Sequence, residues 1–143
     1  VLDRVEPPVE NREFSGSLRG TERILFVDDE AALIEIAEEA LEELGYRVTA
    51  SKNPSEALEI FRSDSSAFDI LITDMTMPKL TGIQLAVEVR SIRPDIPVIL
   101  CTGYRQVAKP EDLEAAGIGR IVPKPASSKD LARATRSLMD QGG

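Results

Sequence analysis

From residue 23 onward, short runs of consecutive apolar residues alternate with longer stretches in which apolar positions recur every three or four residues. The short runs are 24–27 "ILFV", 46–50 "YRVTA", 70–73 "ILIT", 97–101 "PVILC" and 118–122 "IGRIV", and they predict five strands. Between the first two, Leu33, Ile34, Ala37, Ala40, Leu41 and Leu44 share one helical face. Glu35, Glu38, Glu39, Glu42 and Glu43 point elsewhere, and Gly45 stands where a helix would end. Asn53-Pro54-Ser55-Glu56 reads as the start of a second helix, with an N-cap, a proline at the first helical position and an acid at the third. Thr81-Gly82-Ile83-Gln84 reads as a capping box for a third helix with Leu85, Val89 and Ile92 on its core face. Pro110 interrupts the fourth helical segment, leaving about 111–116, and a fifth helix begins near Ser128 with Leu131, Ala134, Thr135 and Leu138 inward. Strands that are apolar throughout are buried on both faces. The expected fold class is therefore α/β, an open five-stranded parallel sheet with helices on both faces. In such sheets ligands gather at the carboxyl ends of the strands, where the strand order reverses.

The first 21 residues, "VLDRVEPPVENREFSGSLRGT", mix Pro, Gly, Ser and charges without periodicity and read as a linker; the folded domain is expected over 22–141. Residue 1 is Val rather than Met, which favours a segment cut from a longer protein. No apolar run approaches the roughly 20 residues needed to cross a bilayer, and a cytoplasmic setting without membrane contact is expected. Seventeen Lys and Arg against 25 Asp and Glu give a net charge of −8, which opposes direct nucleic-acid binding through phosphates. Cys101 has no partner for an internal disulfide and sits in an apolar run, as a small core residue would. With no histidine anywhere in the chain, imidazole is excluded both as general base and as metal ligand.

The strand ends carry the candidate chemistry. Asp28, Asp29 and Glu30 follow the first run, Asp74 the third, Thr102 the fourth and Lys124 the fifth. Carboxylates brought that close repel and raise one another's pKa unless a cation lies among them. Hard oxygen donors without His or Cys favour Mg²⁺ or Mn²⁺ over Zn²⁺. The acidic turn after the first strand contains no glycine, which excludes a glycine-loop nucleotide site there. Acids at a helix N-terminus also serve as caps, a role that suits Glu30.

The segments "FVDDE", "LITDMTMPKLTG", "VILCTGY" and "IVPKP" together resemble the four signature segments of the response-regulator receiver domain, in order, with Asp74 to Thr102 spanning 28 residues and Thr102 to Lys124 spanning 22. The resemblance covers about 22–140 and implies a flavodoxin-like (βα)5 sandwich acting in a two-component phosphorelay. It implies Asp74 as phosphoacceptor from a phosphohistidine, with Mg²⁺ held by Asp28, Asp29, Asp74 and the backbone carbonyl of Thr76. Thr102 and Lys124 would meet the phosphoryl group. The expected donor is a histidine kinase or histidine phosphotransfer domain, and the acyl phosphate is expected to hydrolyse itself. A phosphorylation-dependent dimer through the fourth and fifth helices is compatible with the resemblance. Met77-Pro78 and Gly82 would shape the turn after Asp74, and Lys124-Pro125 would aim the lysine inward, in the family often through a cis peptide. Ile121 departs from the family, which often carries Tyr or Phe there, coupled to the Thr switch; a related role is open to Tyr104. "GTERILFVDDE" looks most like the receiver of a hybrid sensor histidine kinase, with a free-standing single-domain regulator as the alternative. A haloacid-dehalogenase-like phosphatase also uses Asp, Thr, Lys and Mg²⁺, but it needs an Asp-x-Asp after the first strand, and Asp28-Asp29-Glu30 lacks it. A pseudo-receiver acting only by binding would ordinarily lack parts of the acidic site.

Overall fold

The five apolar runs form the parallel strands β1 (Arg23–Val27), β2 (Arg47–Ser51), β3 (Ile70–Asp74), β4 (Val98–Thr102) and β5 (Ile118–Pro123) of one sheet, in the order β2-β1-β3-β4-β5. The structure is a computed structural model and describes residues 18–77, 79–103, 109–124 and 127–142. Pro78, Tyr104 and Pro125, for which turn, switch and lysine-aiming roles are expected, lie outside the described residues. The helices are α1 (Ala31–Glu43), α2 (Pro54–Ser63), α3 (Gly82–Ile92), α4 (Pro110–Ala115) and α5 (Ser128–Gly142), with a 3-10 turn at Ser65–Ala67.

Side-chain alternation along each strand splits the core in two. Ile24, Phe26, Ile72 and Ile99 meet Ile34 and Leu41 of α1 and Leu131 of α5 on one face. Leu25, Val27, Leu71 and Val98 meet Phe61 of α2 and Leu85 and Val89 of α3 on the other. Each such side chain contributes about 1.5–3 kcal/mol through burial. Burial on both faces holds for β1, β3 and the body of β4 only. β2 and β5 are the sheet's edges, and both leave alternate or successive residues to solvent.

The helix starts follow the local chemistry. Asn53 Oδ1 accepts the Ser55 and Glu56 N–H groups at 2.8 and 3.2 Å, with Pro54 as the first helical residue. Thr81 and Gln84 close a reciprocal capping box on α3, at 3.1 and 2.9 Å. Ser127 and Asp130 form another at α5, which the sequence reading missed. Four expectations need correction. Leu33 is exposed, because Ile34, Ala37 and Leu41 alone define the buried face of α1. Ile92 is exposed at the end of α3, whose buried face is made by Gly82, Leu85, Ala86 and Val89. Pro110 opens α4 rather than interrupting it, since its missing N–H costs nothing in the first turn. Tyr46 precedes β2 and is buried below it.

Arg23, at the start of β1, is forked onto Asp69, its Nε and Nη2 donating to Oδ2 and Oδ1 at 3.1 and 3.0 Å while its backbone N–H donates to Oδ2 at 2.8 Å. The Arg23 side-chain hydrogen bond holds the Asp69 carboxyl below the usual range. A depressed folded pKa gives stability that is present above the unfolded value and lost as pH falls through the folded one. Asp69→Asn should therefore lower the midpoint of thermal unfolding modestly at pH 7, because the pair is half-exposed. The gap to wild type should close below about pH 3.8, the reference value for Asp. An unchanged gap at pH 3 would show that the ion pair is not its source.

Candidate phosphoacceptor site

The strand order reverses between β1 and β3, and these two strands deliver Asp28 and Asp74 side by side. Asp28 leaves β1 with its N–H donating to the Ser51 carbonyl at 3.2 Å, and its Oδ1 accepts the Glu30 N–H at 2.9 Å. That turn bends the chain into α1. Glu30 occupies the N-cap position, yet its side chain caps nothing, and its Oε1 lies 3.9 Å from Lys124 Nζ instead. The capping role assigned to Glu30 is therefore not the one it takes, although it stands at the N-cap position.

Asp74 is the last residue of β3, in register with Cys101 of β4. The Met75 N–H continues the ladder to the Cys101 carbonyl at 2.9 Å, and the Gly82 N–H donates to the Met75 carbonyl at 2.8 Å. A Cβ on Gly82 would collide with the Asp74 carbonyl, so the first turn of α3 approaches Asp74 as closely as only glycine permits. Lys79, in the same loop, has φ 74°, a left-handed conformation uncommon for a side-chain-bearing residue. Thr76 lies in this loop two residues beyond Asp74.

Lys124 follows β5, and its N–H donates to the carbonyl of Thr102, the last residue of β4, at 2.7 Å. Its Nζ sits 3.3 Å from Asp28 Oδ2 and 3.3 Å from Asp74 Oδ2. The structure thus joins Asp28, Asp74 and Lys124 directly and places the Thr102 backbone beside them. Thr102 itself is only partly buried at that edge, unlike the four β4 residues before it.

Charge is out of balance here. One oxygen from each of Asp28, Asp29 and Asp74 lies within 4.8 Å of the others, with Asp28 and Asp74 buried and Asp29 exposed. Burial pushes the Asp74 carboxyl up; the Lys124 ammonium opposes that, and Asp28 and Asp29 add to it. Burial works against the charge on Lys124, but Asp28 and Asp74 outweigh it and raise its pKa. Asp74 Oδ1 is buried without a hydrogen-bond partner. A buried acceptor left unpaired beside two further carboxylates is the environment that a hard divalent cation relieves, and the all-oxygen donor set fits Mg²⁺ or Mn²⁺.

Two neighbouring features complete the edge. Burial pushes the Cys101 thiol up to about 12, with Asp74 adding to the effect, so Cys101 is a core residue as expected. Between α1 and α5 runs a groove of about 410 Å³ walled by Leu33, Ile36, Ala37 and Leu131, opening at one end onto Asp28 and Lys124. Sequence reasoning missed this groove because it assigned Leu33 to the core. The available signal was Ile36, an apolar residue among the glutamates of α1 and 62% exposed.

Comparison with known proteins agrees with this geometry. Residues 24–136 match the family described as "Response regulator receiver domain". Sensor kinase CckA of Brucella abortus (strain 2308) is 33% identical over 129 residues, 90% of this chain but only 14% of that protein's length. The response regulator receiver protein CpdR of the same organism is 32% identical over 117 residues, covering 82% of this chain and 96% of that one. A crystal structure of a response regulator receiver domain protein from Clostridium thermocellum superposes with a TM-score of 0.79 at 30% identity, covering 85% of this chain and 96% of that one. These matches leave no place for the phosphatase reading. An acidic pair and a lysine converging where a five-stranded parallel sheet reverses its order, matched along nearly the whole folded region, mean that the chain belongs to the response regulator receiver domain family, whose members accept phosphate from histidine kinases in two-component signalling.

Proposed function

We propose that Asp74 attacks the phosphorus of a donor phosphohistidine, forming an acyl phosphate as the donor's N–P bond breaks and its imidazole leaves. The observation that carries this reading is Asp74 Oδ1, buried without a hydrogen-bond partner in a carboxylate that lies together with those of Asp28 and Asp29, while Oδ2 is held by Lys124. Asp28, Asp29, Asp74 and the Thr76 carbonyl would hold Mg²⁺, which when bound supplies positive charge between two anionic reactants. Lys124 neutralises charge on the transferred group, anchored at its backbone by Thr102. The Thr102 hydroxyl donates to a phosphoryl oxygen once the bond has formed, and its inward shift repacks the surface of α4 and β5. Ile121 on edge strand β5 is 45% exposed and has no aromatic ring to flip, so no aromatic rotamer switch operates at that position. The acyl phosphate then hydrolyses on the same site. With no histidine among these 143 residues, the donor imidazole belongs to another domain or protein.

The test is incubation with a small acyl phosphate donor and Mg²⁺, followed by mapping of the base-labile label. Label on Asp74 is expected; label elsewhere, or none, sinks the reading. For the parent protein we favour a hybrid sensor histidine kinase working at the cytoplasmic side, supported by the match to a sensor kinase over 90% of this chain. A free-standing regulator is the second reading, favoured by the nearly full-length match to CpdR. Among the described residues, no helix is long and apolar enough to cross a membrane.

The groove beside Lys124 gives a separate handle on the donor. A histidine carried on a helix must bring its imidazole to Asp74, and the exposed apolar wall of Leu33 and Ile36 is continuous with that point. Ile36→Glu should slow transfer from a protein donor about tenfold, the effect of removing one central apolar anchor from an interface. Labelling by a small acyl phosphate should be unchanged. Equal slowing with both donors would place the effect in the site itself.

A further inference from the structure

The pole of the domain opposite the carboxylates holds a second cluster that the phosphoryl chemistry does not use. Tyr46 is 2% exposed, and its hydroxyl donates to the Leu18 carbonyl at 2.8 Å. The Gly20 N–H donates to the Leu44 carbonyl at 3.1 Å. From α5, Arg136 lays its guanidinium over the Tyr46 ring at 5.9 Å, donates through Nη1 to the Arg19 carbonyl at 3.1 Å, and pairs through Nη2 with the Glu22 carboxylate and Asp140. The Leu18 side chain rests against the core shared by α1 and α5. The composition of Leu18–Thr21 reads as linker, yet the Leu18 and Arg19 carbonyls, the Gly20 N–H and the Leu18 side chain all fasten that stretch to the fold.

The fit is tight. A Cβ on Gly20 would run into Glu22, Tyr46 and Arg136, and a Cβ on Gly45, which has φ 104°, would run into the Gly20 carbonyl. A flexible tether requires no such interlock, because Gly- and Ser-rich chains join domains without binding either. Ordering these residues also costs conformational entropy that only specific contacts offset.

We propose that Leu18–Glu22, clasped by Tyr46 and Arg136, is a latch that fixes the direction in which the preceding chain leaves the domain. The segment it holds belongs to the same polypeptide, so the chain enters the receiver at Leu18 along a fixed course. Helix α5 becomes a shared element. Ser128 and Leu131 in its first turns line the groove beside Lys124, and Arg136 grips the incoming chain about 7.5 Å beyond Leu131, at about 1.5 Å of rise per residue. The latch is independent of phosphoryl transfer and is tested without it.

The experiment is amide hydrogen exchange on the 143-residue chain, read at the Gly20 N–H and, as an internal control, at Leu71 in the central strand β3. In wild type, Gly20 should exchange about a hundredfold more slowly than an unstructured amide. Arg136→Lys keeps the charge but loses the planar fork, and Tyr46→Phe removes a single oxygen. Each should cost Gly20 about tenfold or more of that protection while Leu71 keeps its own. Trypsin should cut after Arg19 correspondingly faster in both variants. Three outcomes would overturn the latch: a Gly20 amide unprotected in wild type, full protection retained in both variants, or Gly20 and Leu71 losing protection in equal measure in both.

Discussion

Asp74→Asn should take up no phosphoryl label from a small acyl phosphate in the presence of Mg²⁺, a loss of at least about a hundredfold, because the amide lacks the anionic oxygen proposed to form the acyl phosphate. The same substitution has an opposite expected effect on the fold. Asp74 Oδ1 is buried without a partner, and its carboxylate faces Asp28 and Asp29 with only Lys124 to balance them. Removing one negative charge relieves that repulsion, so in a chelator the variant should unfold at a higher temperature than wild type. Added Mg²⁺ should raise the wild-type midpoint and narrow the gap, as expected for a ligand that binds only the folded state. Mass spectrometry and thermal unfolding with and without chelator check both halves. Wild-type labelling of the variant would remove Asp74 as acceptor, and a less stable variant in chelator would remove the account of charge in the site.

Lys124→Ala should slow labelling by about a hundredfold, the range found when a fixed donor aimed at developing charge is removed. Its ammonium sits between Asp28 and Asp74, at 3.3 Å from each. The deficit should persist at saturating small donor, because the lysine acts on the transferred group and not on the rest of the donor. Quench-flow measurement of the label against donor concentration separates these cases. An effect confined to donor affinity would recast Lys124 as a binding residue. In chelator this variant should behave oppositely to Asp74→Asn and unfold at a lower temperature, since it removes the positive charge and leaves the carboxylates facing one another.

How far the sequence was legible depended on how local each cause was. The strands were readable because β1, β3 and β4 are buried on both faces, which writes an unbroken apolar run into the chain. The caps at Asn53 and Thr81 were readable because each is satisfied within three residues. Leu33 and Ile92 misled because periodicity marks a face without saying how wide it is; the neighbouring helix decides that. The latch was opaque for the same reason in stronger form. Arg136 meets Glu22 across 114 residues of sequence, and nothing local at either end announces the pairing. Asp28, Asp74 and Lys124 are also far apart in sequence, yet they were found, because each directly ends or follows an apolar strand and parallel strands align their ends. The capping role for Glu30 failed because an acid at the N-cap position need not turn its side chain back onto the helix, and this one does not.

Cys101 stands beside Asp74 in the sheet, and an acyl phosphate is an electrophile that a thiolate attacks. Burial pushes its pKa up to about 12, so the thiol and not the thiolate is the form present near neutral pH. On the proposed reading, an acyl phosphate on Asp74 would have as its strand neighbour a sulfur held in the poorly nucleophilic thiol form.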